Sequence, residues 1–230
     1  MNQEWLNQNV NFIHAWRYCY RTNSDAISNE IVLTPHRLDQ YIDTKDVYKN
    51  DLTTTVVKVS LDEADFVLKR YNPRSFGHKI KRALRRSRAS RCWSMSYAFA
   101  RAGLRVPTPV FMYELRFGIL RKSAYFANEF LDGEELLTIF PMMSKHDQMS
   151  VVSDLKVAMD CMRESKISHG DMKASNLLWV QGELFFIDLD AAKQHRTKFG
   201  WQLANKRDKK RFLKNWRDQP ELLELFSWLK

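Results

Sequence analysis

The eight residues His169-Gly170-Asp171-Met172-Lys173-Ala174-Ser175-Asn176 limit the fold more than any other segment of the chain. They are polar and turn-forming, yet they lie between two apolar segments of different period. Before them, Val152, Leu155, Met159 and Met162 recur at spacings of three, four and three, which puts them on one face of a helix. Such a stripe reads as core rather than as a cofactor box. Ser144 can open that helix, with Asp147 three residues on completing a cap. After the polar segment, Leu177 to Val180, a Gln181-Gly182 turn and Glu183 to Ile187 read as a β-hairpin that ends at Asp188. A polar loop held by a helix at one end and a hairpin at the other requires a mixed α and β fold.

The N-terminal half supplies more strand signal. Thr53 to Val59, a polar turn at Asp62-Glu63, and Phe66 to Tyr71 read as an antiparallel hairpin, since β-branched and aromatic residues fit a pleated surface. Lys79 to Ala102 lacks Pro and Gly and reads as a helix, with Trp93, Tyr97 and Ala100 on one face. Gly103 suits a left-handed C-terminal cap, and Pro107 and Pro109 prevent the helix from resuming. Val110 to Tyr113 and Ala124 to Leu131 follow as strands, ending at the Asp132-Gly133 turn. The tail from Trp201 to Lys230 reads as two helices separated near Pro220. The first fifty residues mix Trp5, Phe12, Trp16 and Tyr20 with polar positions, and are expected to form either a helix packed on the body or a surface-binding arm.

With 230 residues, 44% of them hydrophobic, the chain can bury a sizeable core. The expectation is an α+β, bilobal single domain over residues 1–230. A small β-rich N-lobe with its N-terminal extension covers about residues 1–131, and a reduced, mainly helical C-lobe about 132–230. Cys19, Cys92 and Cys161 are odd in number and far apart, so they read as reduced thiols rather than as a disulfide or zinc framework. No signal-like segment or run long enough to span a bilayer is present in the sequence.

The formal net charge of +10 is unevenly spread. From Phe66 to Tyr113 there is no Asp or Glu, while Lys69, Arg70, Arg74, Lys79, Lys81, Arg82, Arg85, Arg86, Arg88, Arg91, Arg101 and Arg105 all fall there. A second basic cluster runs from Lys206 to Arg211. Such fields attract nucleotide phosphates, nucleic acid, anionic lipid head groups or a phosphorylated glycan, and they equally well describe solvated helix faces.

Asp171, Lys173 and Asn176 share one loop, and Asp188 stands twelve residues after Asn176 at the end of the next strand pair. Phosphoryl transfer from ATP needs a carboxylate beside the attacking hydroxyl, oxygen ligands for the metal, and a cation on the phosphates. The loop, the hairpin and Asp188 resemble the H-x-D-x-x-x-x-N and D-F-G elements of protein-kinase-like enzymes, and Lys69 in Val67-Leu68-Lys69 resembles their third-strand lysine. The resemblance implies a protein-kinase-like fold with ATP and Mg2+ as cofactors. It implies that Asp171 accepts or orients the acceptor's proton and that Asn176 and Asp188 bind magnesium. Lys69 would hold the α- and β-phosphates, Lys173 would neutralise the transferring phosphate, and His169 would brace the loop. Glu129 and Leu131 would hold adenine through backbone groups. Lys58 and Arg70 compete with Lys69 as the strand cation, since they sit on neighbouring strand positions.

Phe66 to Asn72, Ala102 to Pro109, His169 to Asn176 and Ile187-Asp188-Leu189-Asp190 together resemble the lipopolysaccharide kinase family of that superfamily, over roughly Thr53 to Trp216. This resemblance implies a kinase acting on a Kdo or heptose hydroxyl of the lipopolysaccharide inner core, with the core or a lipid A-core precursor as acceptor. It also implies a cytoplasmic enzyme, with attachment of its basic segments to the anionic cytoplasmic face of the inner membrane left open, and with no nucleic acid partner expected.

The pattern departs from the superfamily in three places. No glutamate follows the third strand to pair with Lys69, and Cys92 or Trp93 falls near its place. The segment from about Lys49 to Thr55 has no glycine where a phosphate-covering loop is expected. Asp190 replaces the glycine of D-F-G, as either a metal or sugar contact or a strand-end turn. Small atypical kinases of the Bud and RIO type, and a nucleotide-binding pseudokinase, are the alternative readings.

Overall fold

The computed structural model describes residues 6, 11–14, 18–22, 38–40, 42, 47–51, 54–61, 64–72, 87–117 and 120–229. The chain divides into two units, residues 1–94 with 108–130 and residues 95–107 with 131–230.

The first unit is built on a seven-stranded antiparallel sheet of β1 (Asn11–His14), β2 (Tyr18–Thr22), β3 (Val47–Asp51), β4 (Thr54–Leu61), β5 (Ala64–Tyr71), β6 (Pro109–Phe117) and β7 (Leu120–Glu129). Its spatial order is β1-β2-β6-β7-β5-β4-β3. The expected hairpin is β4 and β5, in register from Thr54 opposite Tyr71 to Leu61 opposite Ala64. The described part of the first fifty residues corrects the expectation of a helix or arm. Much of it is strand: β1 and β2 form a hairpin that joins the sheet through β6. Helical residues at 38–40 and 42 then place Leu38 and Ile42, four residues apart, in one buried cluster with Val57, Val59, Leu68 and Tyr125. β6 and β7 are longer than expected, because the pairing continues to Phe117 opposite Leu120.

α1 (Arg88–Arg101) starts at Ser87, whose hydroxyl accepts the N–H of Ser90 at 2.9 Å. The expected helix residues 79–86 lie outside the described residues. Ser87 also donates to buried Glu114 of β6, so the helix start is pinned to the sheet. At its end Gly103 has φ of 82°, a left-handed conformation that suits glycine after a helix.

The second unit contains β8 (Glu134–Glu135), α2 (Leu136–Ile139), α3 (Lys145–Glu164), β9 (Ile167–Ser168), β10 (Leu177–Val180), β11 (Glu183–Phe186), β12 (Lys193–Gln194), α4 (Lys198–Lys214) and α5 (Pro220–Leu225). α3 is the helix expected from the Met stripe. Ser144 accepts the N–H of Asp147 at 3.1 Å, and Val152, Leu155, Met159 and Met162 are all buried. Arg105 ties the turn after α1 into this unit: its carbonyl accepts the N–H of Phe186 at 2.9 Å, and its guanidinium pairs with Glu183 at 3.1 Å. An aromatic cluster of Phe140, Phe212, Trp216 and Phe226, with Phe212 and Phe226 edge to face at 4.8 Å, fixes the C-terminal end of α4. That anchoring orients the face of α4 described next.

Candidate active site

The β10–β11 hairpin converts a separation of twelve residues into adjacency. Leu177 pairs with Phe186, and one step further the N–H of Ile187 donates to the carbonyl of Asn176 at 3.0 Å. Asn176 and Asp188 therefore stand at the open end of one hairpin. Asp188 has φ of 58° and ψ of 55°, a left-handed conformation that aspartate tolerates better than most side chains. The chain after it forms a short 3-10 turn containing Asp190, so Asp190 lies in a turn after the strand.

The Nδ2 of Asn176 donates to the carbonyl of Asp171 at 2.7 Å. With the amide nitrogen engaged in the loop, the amide oxygen is the end left for a ligand. An amide oxygen and a carboxylate are hard donors of the kind magnesium takes, and magnesium commonly uses one or two protein oxygens with phosphate and water. Among the described residues no group of three His, Cys, Asp or Glu side chains gathers as a metal cage. The pair Asn176 and Asp188 offers oxygen donors of the kind such a metal takes.

Asp171 itself is partly exposed and carries a cation on each oxygen. Lys173 Nζ lies 3.0 Å from Oδ2, and Arg211 Nη1 lies 3.1 Å from Oδ1. His169 is fully buried, and its Nε2 lies 3.0 Å from the carbonyl of Ile187. A carbonyl only accepts, so this ring nitrogen carries the proton. Burial holds the imidazole below its usual range, against the opposing pull of Asp208, the Ile187 carbonyl, Asp188 and Asp171. Its geometry links the loop to the strand that delivers Asp188.

Gly170 is required by the same contact region. Its φ is 81°, and a Cβ there would lie 2.3 Å from the carbonyl oxygen of Ala191. The loop consequently packs backbone to backbone against the turn that follows Asp188. β12 then pairs with β9, Lys193 opposite Ser168, closing that turn back onto the start of the loop. His195 extends the closure, with Nε2 2.8 Å from the Ser168 hydroxyl.

The residues that hold the loop from the other side were not visible in the sequence motifs. Trp201 Nε1 donates to the carbonyl of Ile167 at 2.9 Å. Asp208 Oδ2 accepts the N–H groups of His169 at 2.8 Å and Gly170 at 3.0 Å. Arg211 donates to the carbonyl of Gly170 as well as to Asp171. Asn215 Oδ1 accepts the N–H of Ala174 at 2.9 Å. Asp208, Arg211 and Asn215 are spaced i, i+3 and i+7, one helical face, and the loop runs along that face in the same direction. The span from Trp201 to Asn215 is about 21 Å at 1.5 Å per residue. Seven extended residues from Ile167 to Ala174 reach about 23 Å, enough to run alongside it. The signal that could have found this face is Asp208 itself, the one acid within a run of five basic residues from Lys206 to Arg211. It is completely buried, so it is not part of a solvated charge face.

The remaining sequence-predicted residues stand on other elements. Lys69 is on β5, opposite Val56 of β4 and Phe126 of β7. By strand alternation it shares a sheet face with Tyr71, whose hydroxyl lies 3.4 Å from Cys92 Sγ of α1 and whose ring packs under Arg88. Cys92 thus stands on the α1 side of the sheet. The competing strand cations are paired: Lys58 with Asp65 at 2.6 Å, and Arg70 with Asp39 at 3.0 Å. Glu129 ends β7, with its N–H on the carbonyl of Thr108 at 2.9 Å and its own carbonyl accepting from Asn128 Nδ2 at 2.7 Å. Leu131, in the second unit, packs with Val180 and Phe185. Within the segment 49–55, residues 49–51 end β3 and 54–55 begin β4, with Asp51 paired to Thr54, while residues 52 and 53 lie outside the described residues.

Comparison of the sequence with curated proteins gives no match. Among solved structures, the fold is similar to that of "WaaP in complex with acyl carrier protein", with a TM-score of 0.52 and 16% identity over 86% of this chain and 95% of that chain. The likeness identifies the fold as α+β and protein-kinase-like. The family model described as the lipopolysaccharide kinase (Kdo/WaaP) family matches residues 45–221. That match covers well over half of the sequence, so the chain is a kinase and belongs to the lipopolysaccharide kinase (Kdo/WaaP) family.

Proposed function

We propose that the chain phosphorylates a hydroxyl of an inner-core lipopolysaccharide sugar, Kdo or heptose, using ATP and Mg2+. The observation that carries this reading is the single framework joining Asp171, Asn176 and Asp188: the Asn176 amide on the Asp171 carbonyl, and the Ile187 N–H on the Asn176 carbonyl. Family membership supplies the lipopolysaccharide core as the acceptor class.

In this reading Asp171 receives or orients the proton of the attacking hydroxyl. Lys173, on the same carboxylate and half-exposed, neutralises charge on the transferring phosphoryl group. Asn176 and Asp188 offer the oxygen ligands for magnesium, and magnesium supplies charge neutralisation on the nucleotide phosphates when bound. Lys69 holds the α- and β-phosphates. Adenine is held by backbone groups of Glu129 and Leu131; the Glu129 carbonyl has a second lone pair beyond the one Asn128 uses. His169 is a positioning residue, as its buried ring reaches the Ile187 carbonyl and not the solvent side. The whole chain acts as one kinase domain.

The second face of α4 supports peripheral attachment to an anionic membrane. Phe199 and Leu203 are exposed there, 69% and 47%, and Lys206, Arg207, Lys210 and Lys214 continue the exposed face. Among the described residues no helix is long and apolar enough to cross a membrane. A protein partner resembling the acyl carrier protein of the WaaP structure is a further part of the proposal, checked by co-purification.

The test is transfer of the labelled γ-phosphate of ATP to purified inner-core lipopolysaccharide with magnesium, beside a protein acceptor such as casein. Label in the glycolipid alone supports the reading. Label in casein alone moves the assignment to a protein kinase of the Bud and RIO type, and label in neither moves it to a nucleotide-binding protein without catalysis.

A further inference from the structure

We infer that Arg211 is an acceptor-recognising residue, whose open guanidinium edge takes an anionic group, carboxylate or phosphate, carried by the sugar that Asp171 engages. The inference rests on the proposed role of Asp171 as the residue that meets the acceptor hydroxyl.

Arg211 differs from its neighbours on the same helix face. Asp208 is fully buried and spends its Oδ2 on backbone N–H groups, and Asn215 is bonded to the Ala174 N–H. These two already fix both ends of the loop without a net positive charge. Arg211 adds a half-exposed cation, with 48% of its side chain in solvent, against a carboxylate that is itself 30% exposed. Both of its bonds, to the Gly170 carbonyl and to Asp171 Oδ1, come from Nη1. A guanidinium has five donors in a planar fork, so the Nη2 and Nε side remains for a planar anion.

The local charge points the same way. Asp171 is paired with two cations, Lys173 and Arg211, at the solvent-facing end of the loop. Lys173 is assigned to the transferring phosphoryl group, and Arg211 lies on the other carboxylate oxygen. Because Arg211 Nη1 lies 3.1 Å from Asp171 Oδ1, one sugar can offer an anionic group to the guanidinium and a hydroxyl to the carboxylate at once. A sugar acid such as Kdo carries a carboxylate and hydroxyls on one ring, and a phosphorylated core sugar offers the same pairing. Bidentate binding of this kind fixes orientation as well as affinity, so it selects which hydroxyl reaches Asp171.

The experiment is titration calorimetry on the full-length protein with magnesium and a non-hydrolysable ATP analogue. The probes are free Kdo, carboxyl-reduced Kdo and inorganic phosphate, and the proteins are wild type, Arg211→Gln and Arg211→Lys, each with its melting temperature recorded. Wild type is expected to bind Kdo roughly 10- to 100-fold more tightly than the reduced sugar. Arg211→Gln is expected to bind the two alike, and Arg211→Lys to recover only part of the difference. If phosphate rather than Kdo shows the Arg211 dependence, the anion site stands and its ligand is a core phosphate. Equal anion binding in wild type and Arg211→Gln overturns the inference, whether or not the melting temperature falls, and leaves Arg211 as a loop clip. Arg211-dependent anion binding without phosphoryl transfer to any core sugar removes the lipopolysaccharide reading and keeps the anion site.

Discussion

Oδ2 of Asp208 accepts the N–H of His169 at 2.8 Å, although the two residues are separated by most of the second unit's C-terminal part. The same oxygen accepts the N–H of Gly170, so one buried carboxylate satisfies two consecutive donors just before Asp171. A buried charge held this way stabilises a fixed loop, and its removal leaves two amides without a partner. Asp208→Ala is expected to cost about 2–4 kcal/mol of stability. Asp208→Asn keeps an acceptor oxygen and is expected to cost less than Asp208→Ala. Denaturant unfolding of the three proteins checks the order.

Gly170 cannot carry a side chain without moving Ala191, whose carbonyl carbon and oxygen lie within 3 Å of a Cβ built there. Gly170→Ala adds this overlap to the cost of a left-handed backbone and is expected to destabilise by about 2–4 kcal/mol. Because Ala191 is the last residue of the turn after Asp188, the strain displaces Asp171 and Asp188 relative to each other. Turnover is expected to fall about 100-fold, as displacements near 1 Å cost in positioned reactions. Circular dichroism to confirm folding, with phosphoryl transfer at saturating ATP, checks both parts.

The pH dependence of stability has a definite sign. Burial holds folded His169 below its ordinary value of 6.5, so the unfolded chain binds more protons in the window between the two. Stability therefore rises with pH through that window, is fully present above about 6.5, and is lost as pH falls below it. His195 is shifted the same way, by burial and by Lys193, and adds to the slope. His169→Gln keeps a donor for the Ile187 carbonyl and does not titrate. Melting temperatures from pH 5 to 8 are expected to show a shallower acid slope for this variant than for wild type.

The sequence made some parts of this architecture legible because local and tertiary preferences agree there. Thr54 to Tyr71 is β-branched and aromatic around a polar turn, and it is paired as a hairpin. Ser144 with Asp147, followed by the Val152 to Met162 stripe, carries both its cap and its core face within one segment. Asn176 and Asp188 were legible as a pair because the hairpin between them is itself a local signal. What failed was tertiary in origin. Asp208, Arg211 and Asn215 look like a solvated charged helix until the loop is laid along them, and Asp208 is buried by packing that no local pattern encodes. The second basic cluster is consequently split: Lys206, Arg207 and Lys210 are exposed, while Arg211 is bonded to the loop. The strand character of β2 depends on pairing with β6, across about ninety residues of sequence, and that of β1 on pairing with β2, so neither is legible locally.

The most direct test of the account is the wild type beside Asp171→Asn, in single-turnover transfer of the ATP γ-phosphate to inner-core lipopolysaccharide, with nucleotide affinity measured on the same preparations. Asparagine keeps the size of the side chain but cannot take a proton. Transfer is expected to be at least about 100-fold slower in Asp171→Asn, with nucleotide affinity changed by no more than a few-fold. Transfer at the wild-type rate in Asp171→Asn would contradict this, because the Asp171 carboxylate would then take no part in the reaction.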